Sequence, residues 1–298
     1  MEKFSSWRDK ATGISPFMPN QFPLVQEKSP IKKWTKIILK SPIFVLKFPF
    51  FLLISLLYSI LGLPILLKFI IRFLFGFNRI DFSVDGVKKS QTDKLNSFKP
   101  HPNDIIVANY ISPLDGYFFA MLSNYSKIVI LVPDKKGDLY QHTPRSLFNH
   151  CFTYDIGKQP LVEDLSTLKD KIVFLLLEGT PSNNKSVLPF IKLNSRYKFD
   201  ENFKIKSLIL KIIPNYFTLP IGYIGKFQYL FQLLTNLSKN SLIRFKIYKY
   251  YNFDLTEIRC SYELNSLSLI NQDLNLDSKE KFINYYFDHS VNKTKKNV

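Results

Sequence analysis

A run of twenty residues without a charge, from Phe48 to Leu67, constrains this chain more than any other feature. A helix of that length is about 30 Å long, which matches the hydrocarbon core of a bilayer. The run starts too far into the chain for a cleavable signal peptide, and no small-residue cleavage site follows it. It is therefore either a buried core helix or a membrane anchor. A second apolar stretch directly after it, residues 69–75, favours the anchor.

The charges around the run predict how the anchor is arranged. Gly62 and Pro64 interrupt it, so two helices at roughly 43–61 and 65–77 fit as well as one straight span. Residues 1–47 carry nine Lys and Arg against three Asp and Glu, and further basic residues follow the run. Basic residues on both sides favour a hairpin or an in-plane helix whose two ends face the cytoplasm. We predict a membrane anchor over residues 41–80, monotopic rather than fully spanning.

The segment before the anchor and the overall charge set limits on partners. Residues 1–40 contain four prolines, which discourage a long helix, so we predict a basic extended N-terminal tail. A formal net charge of +17 calls for nucleic acid, an anionic membrane surface or acidic substrates as a partner. No nucleic-acid-binding motif accompanies the basic residues, and no nucleic-acid partner is expected. Two cysteines make no disulfide scaffold, no Cys/His cluster suggests a metal, and a reducing, cytosol-facing setting follows.

Residues 81–298 are predicted to form one α/β domain. Short apolar runs alternate with helical stretches, and a helix is predicted over 113–122. The predicted strands are 104–108, 127–132, 171–177, 219–221 and 243–247. The first reads as a buried strand, and the continuous apolar run of the third is typical of strands buried on both faces. We therefore predict a largely parallel central sheet with flanking helices, preceded by an N-terminal membrane-embedded helical hairpin.

Two polar motifs follow two of these strands. Residues 109–116 (Asn-Tyr-Ile-Ser-Pro-Leu-Asp-Gly) leave the strand at 104–108, and residues 178–182 (Glu-Gly-Thr-Pro-Ser) leave the strand at 171–177. Ligand sites of parallel sheets lie beyond the carboxyl ends of the strands, so the two motifs are expected at one edge. Taken singly, each motif also has a plain interpretation. Asp115 fits an acid at a helix N-terminus, and Glu178-Gly179 fits an ordinary turn.

Together, and behind a membrane anchor, these motifs resemble the glycerophospholipid (1-acylglycerol-3-phosphate) acyltransferase family. Members of that family carry a His-x4-Asp motif after one strand and a Phe-Pro-Glu-Gly-Thr-Arg-Ser motif after another. Pro189, Phe190 and Lys192 continue the similarity beyond the second motif. In the tail, Trp7-Arg8-Asp9 and Thr12-Gly13-Ile14 resemble fungal members of the family.

The resemblance implies an enzyme that acylates a lysophospholipid with acyl-CoA, in the first place lysophosphatidic acid to phosphatidic acid. Acyl-CoA is a co-substrate, and no cofactor or metal is implied. Partners would be the bilayer or a lipid-droplet surface, with the protein at the endoplasmic reticulum membrane, at lipid droplets, or at both, facing the cytosol. Asp115 would orient a base or the acceptor hydroxyl. Substrate-binding residues would be Ser112, Glu178, Gly179, Thr180 and Lys185.

The chain departs from the family motif at its base. Tyr110 stands where the family has the histidine that takes the proton of the acceptor hydroxyl. An unperturbed tyrosine, with a pKa of about 10, is a poor base at neutral pH. Either a nearby cation lowers the pKa of Tyr110, which we carry as a catalytic candidate, or its ring lines the pocket. A serine mechanism at Ser112 is disfavoured because no G-x-S-x-G turn is present.

The four histidines are the other candidates for the missing base. His142 and His150 follow the second strand, so the fold can bring either to the site. His101 precedes the first strand, at the opposite end from the motif, and His289 lies near the end of the chain. Each of the four also fits an exposed or structural histidine, and the general base stays unassigned.

A second departure concerns the phosphate of the substrate. Pro181 stands where the family has an arginine that contacts this phosphate. Lys185 and Lys192 either replace its charge or belong to a solvated loop, and Lys158 lies where a second substrate motif is expected. The two departures support an alternative function, a catalytically impaired relative that acts as a lipid-surface binding or trafficking protein.

Overall fold

The computed structural model describes residues 2–27, 29–125, 127–153, 159–199, 203–218 and 224–291, and its centre is a seven-stranded sheet. The strands are β1 (Arg79–Val84), β2 (Asp104–Ala108), β3 (Val129–Pro133), β4 (Leu139–His142), β5 (Val173–Leu175), β6 (Ser186–Val187), β7 (Lys204–Ile213), β8 (Leu242–Tyr250) and β9 (Ser268–Leu269). The sheet runs in the order β1-β8-β7-β2-β5-β3-β4, while β6 and β9 pair separately. Two neighbouring pairs, β7 with β8 and β3 with β4, are antiparallel, and the others are parallel. The predicted fold class is confirmed.

Helices cover both faces of the sheet. They are α1 (Pro23–Gln26), α2 (Pro30–Leu61), α3 (Pro64–Phe69), α4 (Thr92–Ser97), α5 (Asp115–Ser123), α6 (Pro144–Thr153), α7 (Lys226–Leu234), α8 (Leu255–Glu263) and α9 (Leu276–Tyr286). Short 3-10 segments occur at Glu2–Trp7, Leu165–Leu168 and Asn215–Phe217, and π-helical turns occur at Ile70–Leu74 and Phe287–Val291.

The strand that leads to the first motif has the predicted limits. β2 spans residues 104–108, and all of its side chains are buried. Ile106 and Ala108 belong to the apolar layer with α5, α6 and α7, whereas Ile105 and Val107 belong to the layer with α8. Burial on both faces explains why the strand reads as a continuous apolar run. β5 lies beside β2 and parallel to it, so the residues that follow the two strands lie at one edge of the sheet.

The other predicted elements agree with the structure in position but not in every limit. β3 and β5 are displaced or shorter than predicted, and the strand predicted over 243–247 lies within β8. The strand predicted over 219–221 lies outside the described residues. The prediction missed β1, β4 and β7. In β7 the pattern is interrupted by Lys206, which is buried because its ammonium group forms an ion pair of 2.5 Å with the carboxylate of Asp104.

The N-terminal hairpin begins earlier than predicted. α2 starts at Pro30, where the missing N–H costs nothing because the first amides of a helix have no intrahelical partner. Pro42 lies within α2 and does not end it. The prolines therefore limit the length of the helix less than expected. α2 ends at Gly62, whose φ of 64° is the left-handed value typical of a helix C-terminus.

The chain then returns along α2. The ammonium group of Lys47 donates to the carbonyl of Leu74 at 3.0 Å, and the rings of Phe51 and Phe75 lie 5.7 Å apart. α2, α3 and the π-helical turn therefore form a hairpin. Within the described residues, α2 is the one helix that is long and apolar enough to cross a membrane.

The two faces of α2 have different surroundings. Its inner face packs against the protein body through Phe44, Phe48, Phe51, Ile54 and Tyr58. Its outer face exposes the side chains of Ile38, Leu39, Val45, Leu46, Leu52, Leu53, Leu56, Leu57, Ile60 and Leu61. The outer face is open, whereas the inner face is partly buried against the body. This arrangement favours a monotopic anchor.

The N-terminal tail is packed against the body, which differs from the predicted extended segment. The rings of Phe4 and Trp7 lie 5.8 Å and 5.4 Å from the ring of Phe282 in α9. Phe17 and Phe22 are fully buried. The reason is the aromatic content of the tail. Burying large apolar rings stabilises the packed tail by more than the conformational entropy that a proline-containing segment loses on ordering.

We predict that the outer face of α2 holds the protein on membranes. Leu56→Glu with Ile60→Glu places two charges on a face whose side chains are 59% and 71% exposed. Each charge costs about 2.5 kcal/mol or more at the centre of a membrane helix, and somewhat less near the interface. Flotation with vesicles should therefore drop severalfold, while the thermal midpoint in detergent stays within a few degrees. Thr92→Glu with Asn96→Glu, at the same spacing on exposed α4, is the control, and equal flotation of both double variants would contradict the prediction.

Candidate active site

Two carboxylates bind three successive backbone amides at the end of β2. The Oδ2 atom of Asp115 accepts the N–H groups of Ile111 at 2.7 Å and Ser112 at 3.0 Å. The Oε1 atom of Glu178 accepts the N–H group of Tyr110 at 2.9 Å. We call Asp115, Glu178 and the amides of residues 110–112 the carboxylate clamp. Asp115 is also the first residue of α5, so it occupies a helix N-terminus as well.

The clamp joins the two motif loops into one unit. The N–H group of Ser182 donates to the carbonyl of Tyr110 at 2.8 Å. The second oxygen of Glu178, Oε2, accepts the N–H group of Leu188 at 2.7 Å. Residues from both motifs are therefore held at one edge of the sheet, as the order of the strands requires. The two acidic side chains are buried together rather than directed into separate regions of solvent.

Burial dominates the electrostatics of the clamp. It raises the pKa of Asp115 well above its usual range, against the lowering effect of the N–H groups of Ile111 and Ser112. Burial likewise raises the pKa of Glu178 to about 8, while the N–H groups of Leu188 and Tyr110 lower it. The Oδ1 atom of Asp115 is buried without a hydrogen-bond partner among the described residues. Buried polar groups are normally hydrogen-bonded, so this unpaired oxygen sets Asp115 apart.

The fold brings a histidine to Tyr110. The hydroxyl of Tyr110 lies 3.1 Å from Nδ1 of His150, and the two rings stack at 6.0 Å with 19° between their planes. His150 lies on α6, and both side chains are buried. The neighbouring thiol of Cys151 also hydrogen-bonds Tyr110. Of the two histidines that follow the second predicted strand, His150 is the one in contact with the motif.

His142 lies beside His150 and completes an imidazole pair. The two ring centroids are 5.2 Å apart, and Nδ1 of His142 lies 3.2 Å from the hydroxyl of Ser146. Burial lowers the pKa of His142 to about 4. It lowers the pKa of His150 to about 3, with smaller contributions from His142 and Lys279. Both imidazoles are therefore neutral at pH 7, and burial disfavours their protonated forms.

A lysine from the C-terminal helix reaches the second motif. The ammonium group of Lys279 donates to the carbonyl of Pro181 at 2.6 Å, and the side chain is 1% exposed. Burial lowers its pKa to about 7, against the effects of Cys151 and Glu178. Lys279 thus brings a cation to the position where the family has its arginine. Sequence reasoning missed it, because residues 98 positions apart share no local pattern.

The other predicted substrate-binding residues have different settings. Thr180 is buried, and its hydroxyl has no hydrogen-bond partner among the described residues. The hydroxyl of Ser112 donates to the carbonyl of Phe217 at 3.2 Å, so it links the first motif to the 3-10 segment that follows β7. The side chains of Lys185 and Lys192 are exposed.

Three further sequence candidates lie away from the clamp. His101 precedes β2, as expected, and its N–H group donates to Asp104 at 2.7 Å. His289 stacks on Tyr285 in the last described turn. Lys158 lies outside the described residues. In the part of the chain that the structure describes, no group of three or more His, Cys, Asp and Glu side chains could hold a metal ion.

Two curated proteins are similar to this chain. The lysophosphatidic acid:oleoyl-CoA acyltransferase 1 of Saccharomyces cerevisiae is 27% identical over 315 residues, which cover 99% of this chain and all of that protein. A putative lysophosphatidic acid:oleoyl-CoA acyltransferase of Schizosaccharomyces pombe is 28% identical over 245 residues, 74% of this chain and 76% of that protein. No family profile and no solved structure matches the chain. The resemblance to acyltransferases of this kind is confirmed.

Gly179 should be irreplaceable in the second motif. Its φ is +65°, and a Cβ atom there would lie 2.6 Å from Cδ1 of Ile191 and 2.7 Å from Cδ1 of Leu276. We expect Gly179→Ala to lower the free energy of unfolding by about 2–4 kcal/mol, from backbone strain plus crowding. Gly86→Ala is the matched control, because its φ is +72° and nothing lies within 4 Å. The control should cost about 1 kcal/mol, and equal losses would show that the crowding is relieved.

The buried imidazole pair should make the fold sensitive to acid. The pKa values of His142 and His150 are lower in the folded protein than the ordinary value of about 6.5, so only the unfolded chain binds these protons between pH 6.5 and 4. The contribution of the pair to stability is therefore full above pH 6.5 and falls below it, by about 2 kcal/mol per histidine between pH 7 and pH 5, whereas the raised pKa values of Asp115 and Glu178 contribute in the opposite direction. His142→Gln should remove its share from the pH dependence of the thermal midpoint. His101→Gln, outside the pair, controls for the loss of an imidazole, and an unchanged slope in His142→Gln would contradict the prediction.

Proposed function

We propose that the protein transfers an acyl group from acyl-CoA to the free hydroxyl of lysophosphatidic acid, giving phosphatidic acid. The observation that carries the proposal is the carboxylate clamp, which joins both acyltransferase-like motifs at one edge of the sheet. The names of two relatives, one similar over the whole chain, support this acceptor and this donor.

The reaction requires one proton transfer in each direction. The acceptor oxygen attacks the thioester carbonyl, a carbon–oxygen bond forms, and the carbon–sulfur bond to CoA breaks. The acceptor loses its proton, and the departing thiolate of CoA gains one. A group that takes the first proton and returns it to the thiolate satisfies both steps.

Tyr110 and His150 would handle this proton together. The hydroxyl of Tyr110 would take the proton of the acceptor while passing its own to Nδ1 of His150, 3.1 Å away. Reversal of the relay would protonate the thiolate. The phenol exchanges one proton for another, so the relay forms no tyrosinate. Burial opposes the imidazolium, because it lowers the pKa of His150 to about 3, and the negative charge of the bound substrates would have to offset that cost. Asp115 and Glu178 would act as positioning residues, since their oxygens hold the backbone of residues 110–112.

Charge near the second motif would attract the anionic substrates. Lys279 at Pro181 would neutralise the phosphate of the acceptor, and the exposed Lys185 and Lys192 would attract phosphate groups from outside. Tyr110 and Asp115 expose no surface, so the acceptor reaches them only when a neighbouring segment moves.

The hairpin would place this site at its substrate. Lysophosphatidic acid keeps its acyl chain in the membrane, and the apolar outer face of α2 would hold the protein body at the same surface. A hairpin with both ends in the cytosol suits the endoplasmic reticulum membrane and the single lipid layer of a droplet alike.

The test is acyl transfer by purified protein in vesicles, with labelled oleoyl-CoA and lysophosphatidic acid. We expect Tyr110→Phe and His150→Gln each to lower kcat by about 100-fold or more, because each breaks the relay. Tyr125→Phe removes the hydroxyl of an exposed tyrosine outside the site and should retain full activity. Thermal midpoints of all variants separate catalytic loss from unfolding.

The outcomes distinguish the two functions. Full activity in Tyr110→Phe would exclude the relay. Wild-type protein that binds vesicles but transfers no acyl group would select the alternative, a lipid-surface binding protein.

A further inference from the structure

A polar cavity of about 220 Å³ lies between the N-terminal hairpin and α7. Its walls are Pro23, Lys40, Tyr216, Gln232, Thr235, Asn236, Leu237 and Ser238. We propose that this cavity binds the phosphate group of an anionic glycerophospholipid in the membrane on which the protein lies. It shares no residue with the carboxylate clamp, and the proposal does not rest on the proposed acyl transfer.

One residue in the wall of this cavity carries an unpaired hydrogen-bond donor. Gln232 is 3% exposed, and its Nε2 atom has no partner among the described residues. A buried amide group is normally hydrogen-bonded, so an unsatisfied one in the wall of a cavity indicates a ligand. The neighbouring amide of Asn236 is used differently, because its Nδ2 atom donates to the carbonyl of Phe75 at 2.9 Å and to the hydroxyl of Ser241 at 3.0 Å. The amide of Asn236 is thus used within the wall, whereas that of Gln232 keeps an unpaired donor among the described residues.

The charge of the cavity selects an anion. Lys40 contributes an ammonium group, and none of the residues in the walls is acidic. Ammonium and amide groups donate hydrogen bonds that phosphate oxygens accept, and bonds to charged groups are the stronger ones. The volume is several times the ~30 Å³ of a water molecule, which leaves room for a phosphate group.

The position of the cavity favours a lipid over a free anion. Lys40 lies on α2 between the basic residues 32–36 and the segment from Phe44 onward that packs on the body. On a helix lying in a membrane surface, that boundary coincides with the layer of lipid headgroups. Leu237 lines the cavity and is 66% exposed, so it offers an apolar contact for an acyl chain whose phosphate occupies the cavity.

The test measures binding without any acyl donor. Full-length protein in a non-ionic detergent is titrated by calorimetry with dihexanoyl phosphatidic acid, dihexanoyl phosphatidylcholine or inorganic phosphate. We expect saturable binding of the phosphatidic acid, weakened tenfold or more in both Lys40→Gln and Gln232→Leu. Lys33→Gln is the matched control, because it removes the same charge from the exposed part of the same helix and should change the Kd less than twofold.

Thermal midpoints show whether the two variants are still folded. Nε2 of Gln232 already lacks a partner, so Gln232→Leu should keep or raise the thermal midpoint in the absence of lipid. The proposal is overturned if Lys40→Gln binds like Lys33→Gln, or if inorganic phosphate binds as tightly as phosphatidic acid. Equal binding of phosphatidylcholine would overturn it as well. Phosphatidic acid is also the product of the proposed acyl transfer, so the loss of affinity in Lys40→Gln and Gln232→Leu, rather than binding by itself, reports on the cavity. Acyl transfer is measured separately, so failure of that assay leaves this comparison of variants standing.

Discussion

The site depends on the pairing of two buried carboxylates with the amides of three consecutive residues. Asp115 and Glu178 come from different motifs, yet their oxygens accept the N–H groups of residues 110–112 within 3.0 Å. Neither partner can be removed alone. An unpaired buried carboxylate or amide destabilises the fold by far more than the hydrogen-bonded pair stabilises it. The clamp therefore fixes the backbone at the end of β2, and with it the direction in which the side chain of Tyr110 points. The contact between the hydroxyl of Tyr110 and His150 depends on that direction.

The clamp also changes what the two acidic residues do. In the family pattern the aspartate holds an imidazole, whereas here one oxygen of Asp115 holds the loop and the other has no partner among the described residues. A tyrosine ring extends further from the backbone than an imidazole does. Its hydroxyl thereby contacts His150 on α6, forty residues later in the chain. The imidazole is displaced from the motif to a neighbouring helix, and a phenol connects the two.

Local patterns predicted much of this arrangement, and contacts between distant residues account for what was missed. The continuous apolar run of β2 gave its limits, and the break at Gly62 and Pro64 placed the turn of the hairpin. The common edge of the two motifs followed from the predicted strands that each motif leaves. The sequence did not predict β7, because the charge of its buried Lys206 is paired with Asp104, about a hundred residues away. Lys279 escaped for the same reason. A charged side chain is tolerated in a core only when the fold supplies a partner. Local sequence patterns cannot predict a partner that lies far away in the chain.

The membrane side and the motif side of the protein are connected through residues 216 and 217. Tyr216 lines the polar cavity beside α2, and the carbonyl of Phe217 accepts the hydroxyl of Ser112 in the first motif. The ring of Phe22, at the end of the tail, packs against both residues at 5.2 Å and 5.5 Å. The tail in turn packs on α9, which carries Lys279. Tyr216 and Phe217 are adjacent in the chain and both are packed against Phe22. Close-packed residues of this kind move together rather than independently. A ligand in the cavity would therefore contact Tyr216, the residue next to the one whose carbonyl holds Ser112 of the first motif.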